Sequence, residues 1–391
     1  MHRVYHLLAL TLISVIVQAE PFHNSELIFP LQNKHVHSSS IVELPNGDLL
    51  TCWFHGSGER KADDVLVQGA RLKKVSEVWS EVFLMADTPG LPDCNPVLFL
   101  DRNKKLWMFW IAVRAQGWQH SILRYKTTNN YDGDMAPDWT WQDIIVLKPG
   151  DSFADEIKKG FDILDPSEDM WSEYAQPYSR MIIEAAKDAH KRQEGWMTRT
   201  HPLQLSSGRI LLPLYSDGFN ICLAAISDDD GATWCSSGPM VGLAGIQPSI
   251  VSKQDGTLSA YLRDGGEAPG RALYCESKDQ GSTWSVMRDT AIPNPGSSLE
   301  VIALHRKPLW AMIYNDVEHS RSSMAVALSG DEGKTWQWKR HIGQKEYYAY
   351  PSIIQTQDGL IHITYTYKNA MGKSIKHEIF DIDWIKQGDL E

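Results

Sequence analysis

One eight-residue pattern occurs three times in this chain: SDDDGATW at Ser227–Trp234, SKDQGSTW at Ser277–Trp284 and SGDEGKTW at Ser329–Trp336, with starts 50 and 52 residues apart. A fixed interval of this length marks a repeat architecture, in which each unit is stabilised by its neighbours. An alternating apolar segment precedes each copy: NICLAAIS, RALYCES and SMAVALS. Between copies lie further strand-like segments punctuated by Ser-Gly or Asp-Gly turns, LSSGRILLPLY, KQDGTLSAYLR and TQDGLIHITYTY. Short strands, tight turns and a regular period predict an all-β propeller with one four-stranded blade per repeat. Within the motif, Asp and Gly suit a tight turn that needs a positive φ. The Trp that follows is expected to lie flat between neighbouring blades, on the rim away from the central funnel. The motif thus reads as a fastener, and its varying acidic positions argue against a metal loop.

The other segments extend this pattern. ELPNGDLLTCWF and DRNKKLWMFWIAV read as more divergent blades, and the length gives about six blades of roughly 50 residues. One stretch, residues 154–196, loses the strand alternation; SRMIIEAAKDAHKRQ within it has helical spacing and helix-forming residues. Residues 1–19 read as a signal peptide: a short basic start, the apolar run LLALTLISVIV, and a small residue at Ala19. That predicts one propeller domain over 20–391 in a secreted or periplasmic protein, with no stable membrane span after cleavage. The net charge of −11 argues against nucleic acid and anionic membranes as partners, since both need a positive field. The five cysteines, Cys52, Cys94, Cys222, Cys235 and Cys275, show neither disulfide pairing nor zinc spacing and are expected as buried thiols. Neither cofactor nor metal is expected.

The pattern S-x-D-x-G-x-T-W resembles the Asp-box of sialidases and their relatives. SSSIVELPNGDLL, CNPVLFL, IQPSIV, PNPGSSLEVIAL and YPSIIQTQDGLIHITYTY resemble the broad BNR-repeat, sialidase-like branch. The resemblance implies a six-bladed propeller with an acid/base Asp, a Tyr nucleophile helped by a Glu, and three Arg that grip a substrate carboxylate. Asp64 matches the acid, with Asp63 the near alternative and a raised pKa expected from the adjacent pair. Glu59 and Arg60 resemble the Glu-Arg of the same segment. Tyr350 matches the nucleophile, with Tyr347 and Tyr348 as neighbours. Arg263 and Arg321 match two of the three arginines, whose planar forks suit a carboxylate.

Two positions depart from the family pattern. His37 stands where the first Arg is expected, and Gln247 stands where the Glu is expected. A Gln cannot take the Tyr proton; it can only hydrogen-bond. Asn95 and His201, at matching strand starts, are expected to face the funnel. The leading function is then a glycoside hydrolase, exo-α-sialidase-like, that removes a terminal acidic sugar from a glycan. Asp64, Tyr350, His37 and Gln247 would form its catalytic group, and Arg60, Arg263, Arg321, Asn95 and His201 would bind substrate. Two other functions compete: a propeller polysaccharide lyase acting on a uronate, and a non-catalytic glycan-binding protein.

Overall fold

The computed structural model describes residues 20–76, 78–165, 176–266 and 269–389; the predicted signal peptide lies outside them. Strand β1 (His23–Leu27) comes first. Blade one is β2 (His35–Glu43), β3 (Leu49–Gly56), β4 (Leu66–Leu72) and β5 (Phe83–Ala86). Blade two is β6 (Asp93–Leu100), β7 (Leu106–Val113), β8 (Ser121–Thr128) and β9 (Trp141–Ile144). Helices α1 (Phe153–Leu164), α2 (Gln176–Lys187) and α3 (Ala189–Gln193) follow. Blade three is β10 (Leu203–Gln204), β11 (Ile210–Ser216), β12 (Ile221–Ser227) and β13 (Cys235–Ser236). Blade four is β14 (Gly245–Ser252), β15 (Leu258–Asp264), β16 (Arg271–Ser277) and β17 (Arg288–Pro293). Blade five is β18 (Glu300–Ala303), β19 (Trp310–Tyr314), β20 (Ser323–Ser329) and β21 (Trp338–Gln344). Blade six is β22 (Tyr347–Gln355), β23 (Ile361–Asn369) and β24 (Gly372–Phe380), before the short helix α4 (Ile382–Lys386).

These form six four-stranded sheets, and β1 completes the sixth by pairing antiparallel with β24, His23 opposite Phe380. The chain's first described strand therefore locks its last blade, so no blade is left one strand short. The second strand of blade two, LWMFWIAV, is buried at every position, as expected where neighbouring blades cover both faces.

The three repeated turns share one hydrogen-bond network. In the first, Gly231 N donates to Ser227 Oγ at 2.8 Å, Thr233 N donates to Asp229 Oδ1 at 2.8 Å, and Thr233 Oγ1 donates to Asp229 Oδ2 at 2.6 Å. Asp279 and Asp331 receive the same two Thr donors, and Gly281 and Gly333 the same Ser acceptor. Each turn also reaches the preceding blade. A Cβ on Gly231 would meet the Trp107 ring at 2.1 Å, and Tyr261 Oη donates to Gly333 O at 3.1 Å. The predicted flat packing of the motif Trp is corrected: Trp234 meets Trp107 edge-on at 83°, and Trp336 meets Tyr261 at 76°. An edge-to-face contact sets the positive ring edge against the negative face.

The insertion packs on blades two to four. Phe153, Ile157 and Phe161 of α1 and Ile182 and Ala186 of α2 join the same apolar cluster as the β11 and β12 side chains. Four of the cysteines are buried thiols as expected; Cys235, on the short outer strand β13, is exposed. No helix among the described residues is long and apolar enough to cross a membrane.

Candidate active site

Four inner strands each carry one extra residue near their start. The slips lie at His37/Ser40, Cys94/Val97, Ile246/Ser249 and Ala349/Ser352, against regular second strands. At these bulges Ser38, Asn95, Gln247 and Tyr350 adopt left-handed backbone, φ 59°, 50°, 56° and 54°. Such backbone costs a non-glycine residue on the order of 1–3 kcal/mol and clusters at functional sites. Antiparallel pairing sets these strand starts beside the ends of the second strands, where Phe54 and Arg263 sit; Tyr215, near the end of the second strand of blade three, is bridged to Met197.

Together they enclose a cavity of about 250 Å³, with His37, Asn95, Gln247, Arg263, Arg321 and Tyr350 in its wall. Six residues expected from sequence thus meet at one mouth. The same wall holds His35, Phe54, Glu59, Trp118, Tyr215, Asp217 and Tyr347.

Tyr350 is the hub. Its hydroxyl oxygen accepts from Arg263 Nη1 at 2.9 Å and from Gln247 Nε2 at 3.2 Å. The His37 ring lies 4.1 Å from its ring, and the Arg321 guanidinium 5.2 Å from its centroid. Burial pushes the Tyr350 phenol up, but Arg263, Arg321, the Gln247 amide and Arg199 outweigh it and hold the pKa below the usual tyrosine value. Gln247 Nε2 also donates to Tyr215 Oη at 3.1 Å, as does Asn95 Nδ2 at 3.1 Å. Burial, then Asp217 and Tyr350, drive the Tyr215 phenol well above its usual value. Gln247 therefore bridges two phenols with opposed acidities. His37 is held well below the usual histidine pKa, by burial first and then by Arg321, His35, Arg199 and Arg263. The neutral ring bonds Thr366 Oγ1 through Nδ1 at 3.0 Å. Arg321 donates to Tyr347 Oη at 2.9 Å and to Gly296 O at 2.8 Å.

Three sequence expectations are corrected. Asp64 lies outside the cavity wall. Its exposed carboxylate accepts from Ser57 N at 3.0 Å and Ser57 Oγ at 2.6 Å, and these bonds lower its pKa, opposite to the rise expected from Asp63. Arg60 stands beside the wall, its guanidinium 5.0 Å over the Trp118 ring. His201 lies deeper along the axis: its Nε2 bonds Ile41 O at 2.8 Å, its Nδ1 bonds Glu300 Oε1 at 2.9 Å, and it borders a different cavity at the far ends of the inner strands.

Sequence reading passed over Asp217, Tyr215 and Arg199. Asp217 follows the strand ILLPLYS and precedes a Gly, and so reads as a turn. At the mouth, burial raises its pKa first, with Arg263 and Arg60 opposing. Glu59 behaves oppositely, lowered first by the close approach of His35, whose Nε2 is 3.2 Å from Glu59 Oε1. The insertion supports these loops: Tyr178 Oη accepts from Asn220 Nδ2 at 3.0 Å, and Glu194 pairs with Arg114 and His120 on either side of Trp118. Among the described residues no group of three or more His, Cys, Asp or Glu is placed to hold a metal ion.

Comparison with known proteins follows these boundaries. The family described as BNR repeat-like domain matches residues 47–155 and 191–363, interrupted where the helical insertion lies. The anhydrosialidase of Macrobdella decora is 24% identical over 192 residues, 44% of this chain; the match spans only 25% of that protein. Among solved structures, the leech intramolecular trans-sialidase, determined with 2,7-anhydro-Neu5Ac, aligns with TM-score 0.68 at 14% identity, over 93% of this chain and 71% of that one. The intramolecular trans-sialidase of Ruminococcus gnavus, determined with oseltamivir carboxylate, aligns with TM-score 0.66 at 13% identity, over 90% of this chain and 96% of that one. At these identities the structural likeness concerns the fold: a sialidase-like six-bladed propeller.

Proposed function

The chain belongs to the BNR repeat-like domain family, and from that premise we propose that it is an exported enzyme releasing a terminal, carboxylate-bearing sugar from a glycan. The observation that carries this reading is the hydrogen bonding of Tyr350. Both side-chain partners of its oxygen, Arg263 and Gln247, are donors, so an oxyanion is favoured there without a neighbouring base. The glutamate missing at Gln247 is thus offset by guanidinium charge. Arg263 and Arg321 face the cavity as forks for the substrate carboxylate, while His37 is uncharged.

In the proposed reaction the Tyr350 oxygen bonds the anomeric carbon as the bond to the leaving oxygen breaks. The leaving oxygen takes a proton from Asp217. Water then attacks the same carbon, gives its proton to Asp217, and Tyr350 departs. Asp217 is assigned as the acid because it stands in the cavity wall and burial raises its pKa, the direction an acid needs, whereas the nearby His35 lowers that of Glu59. A second reading, β-elimination of a uronate, draws on the same feature, since a Tyr350 oxyanion can also abstract a proton.

The test uses methyl and 4-nitrophenyl glycosides of sialic and glucuronic acids. Asp217→Asn is expected to cut turnover of the methyl glycoside by about 10²–10³-fold, and of the activated aryl glycoside far less. Asp64→Asn is expected to stay within about 2-fold of wild type, because a solvated carboxylate outside the cavity donates nothing to the reaction. Loss of activity in Asp64→Asn with none in Asp217→Asn would overturn the acid assignment. Product absorbing in the near ultraviolet would establish the lyase instead, and binding of every sugar without turnover a binding protein. Export is checked by N-terminal sequencing of protein recovered outside the cytoplasm, with Glu20 expected first.

A further inference from the structure

Arg199 takes no part in the reaction as proposed, yet it reaches the hub of the site from beneath. It sits in the segment leading into β10 and is 2% exposed. Its guanidinium carbon lies 4.9 Å from the Tyr350 ring centroid. Its Nη2 donates to the carbonyl of Pro351 at 2.8 Å, and its Nη1 to the carbonyl of Ser39 at 3.5 Å. Pro351 and Ser39 each follow directly on a left-handed bulge residue, Tyr350 in blade six and Ser38 in blade one. A side chain of blade three thus crosses the axis and pins the bulges of two other blades.

The charge is held without a direct counter-ion. Two of its nitrogens go to carbonyls, and Nε is buried with no partner. Glu300, a carboxylate that acts on it through space, is bonded to His201 at 2.9 Å. A buried, unpaired cation is costly where an apolar side chain of the same length could fill the space. It is absent from the cavity wall, so substrate does not compensate it. The group left to benefit is the ring stacked on it.

We propose that Arg199 is the positioning residue for Tyr350, holding the bulge that aims the phenol and presenting a fixed positive charge to its ring, without touching substrate. The other charged or titratable groups about that phenol are His37, Tyr215, Arg263 and Arg321 with its Tyr347 partner, while His35, Glu59 and Asp217 line the same cavity. Arg199 is the one fixed from below. It also lowers the Tyr350 pKa, behind Arg263, Arg321 and Gln247 in the order of effects that oppose burial.

The proposal rests on Tyr350 being the reacting group, so one of its tests does not need turnover. Alkaline titration of phenolate absorbance, wild type minus Tyr350→Phe, isolates the Tyr350 phenol. In an Arg199→Met background the same difference is expected to titrate about one pH unit higher or more, and in Arg199→Lys by less, since the charge is kept. On an active substrate, Arg199→Met is expected to lower kcat about tenfold or more and to shift the rising limb of its pH profile upward, with KM within about 2-fold. Arg199→Lys is expected to restore the limb but not all of kcat, because an ammonium cannot span both carbonyls. A folded Arg199→Met protein with an unmoved phenol and an unmoved limb would overturn the proposal; should that protein not fold, an Arg199→Lys protein with wild-type kcat would overturn it instead. A shifted phenol in a protein that turns over no sugar would leave Arg199 its role and remove the proposed reaction.

Discussion

The Asp-box turns and the inner-strand bulges occupy opposite ends of the blades and use the same strained backbone for opposite ends. In the turns, Asp230, Gln280 and Glu332 are left-handed, φ 55°, 58° and 58°. Those side chains differ freely, because the Ser, Asp, Gly and Thr around them carry the network. At the bulges, Ser38, Asn95, Gln247 and Tyr350 are left-handed in the same range, and three of these strained residues, Asn95, Gln247 and Tyr350, line the cavity themselves. The rim repeats its side chains to hold blade to blade. The axis repeats its backbone and varies the side chain, so Asn95 and Gln247 present carboxamides and Tyr350 a phenol to a common cavity. Stability and chemistry are therefore expected to separate by location.

The sharpest separation is expected from Tyr350→Phe. Removing the oxygen that receives Arg263 and Gln247 is expected to lower turnover by about 10³-fold or more, roughly 4 kcal/mol of barrier. The denaturation midpoint should barely move, because the ring keeps its contacts with His37 and Arg199. A large loss of stability with activity per folded molecule retained would erase the distinction between the two ends.

The converse is Gly231→Ala at the rim. At φ 86° an added Cβ is strained and meets the Trp107 ring at 2.1 Å. The expected cost is about 2–4 kcal/mol in urea unfolding, with kcat and KM of the folded fraction within about 2-fold of wild type. Altered kinetics without altered stability would tie the turn to the site after all.

The same contrast explains what could be read from the sequence. The fold was legible because the fasteners are local: eight adjacent residues carry every partner of the turn network, so their chemistry shows as text. His37, Asn95, Gln247, Arg263, Arg321 and Tyr350 were legible as positions because the repeat sets the register of strand starts and ends. Asp64 was not, because the β3–β4 connection is irregular; it turns Glu59 inward and spends Asp64 on Ser57. His201 was misplaced by a shift along the axis. It is two residues beyond Arg199, about 6–7 Å further in extended chain, which moves it from the cavity to Glu300. Asp217 was hidden by its Gly, since Asp-Gly after a strand signals a turn whether or not the carboxyl faces a cavity.

The smallest expected effect is an acid dependence confined to the rim. Thr233 donates to Asp229 through both Oγ1 and N, and those bonds carry the carboxyl from the usual 3.8 down to about 2. For Asp279 and Asp331 burial pushes up, yet the bonds from Thr283 and Thr335 prevail and the pKa values fall. A carboxylate lowered on folding contributes stability that is complete above its unfolded value. For Asp229 that contribution is lost as pH falls from 3.8 through about 2. Asp229 and Asp279 are exposed and Asp331 is half-buried, so screening limits each turn to less than about 1 kcal/mol. Urea midpoints at pH 6 and pH 3 measure it. Thr233→Val removes one donor to Asp229 and is expected to narrow the difference between the two pH values by a few tenths of a kcal/mol. Tyr350→Phe should leave that difference alone, since the axis holds its phenol with guanidinium charge that does not titrate in acid. An unchanged difference in Thr233→Val would mean that the acid sensitivity of the propeller arises elsewhere than in the repeated turns.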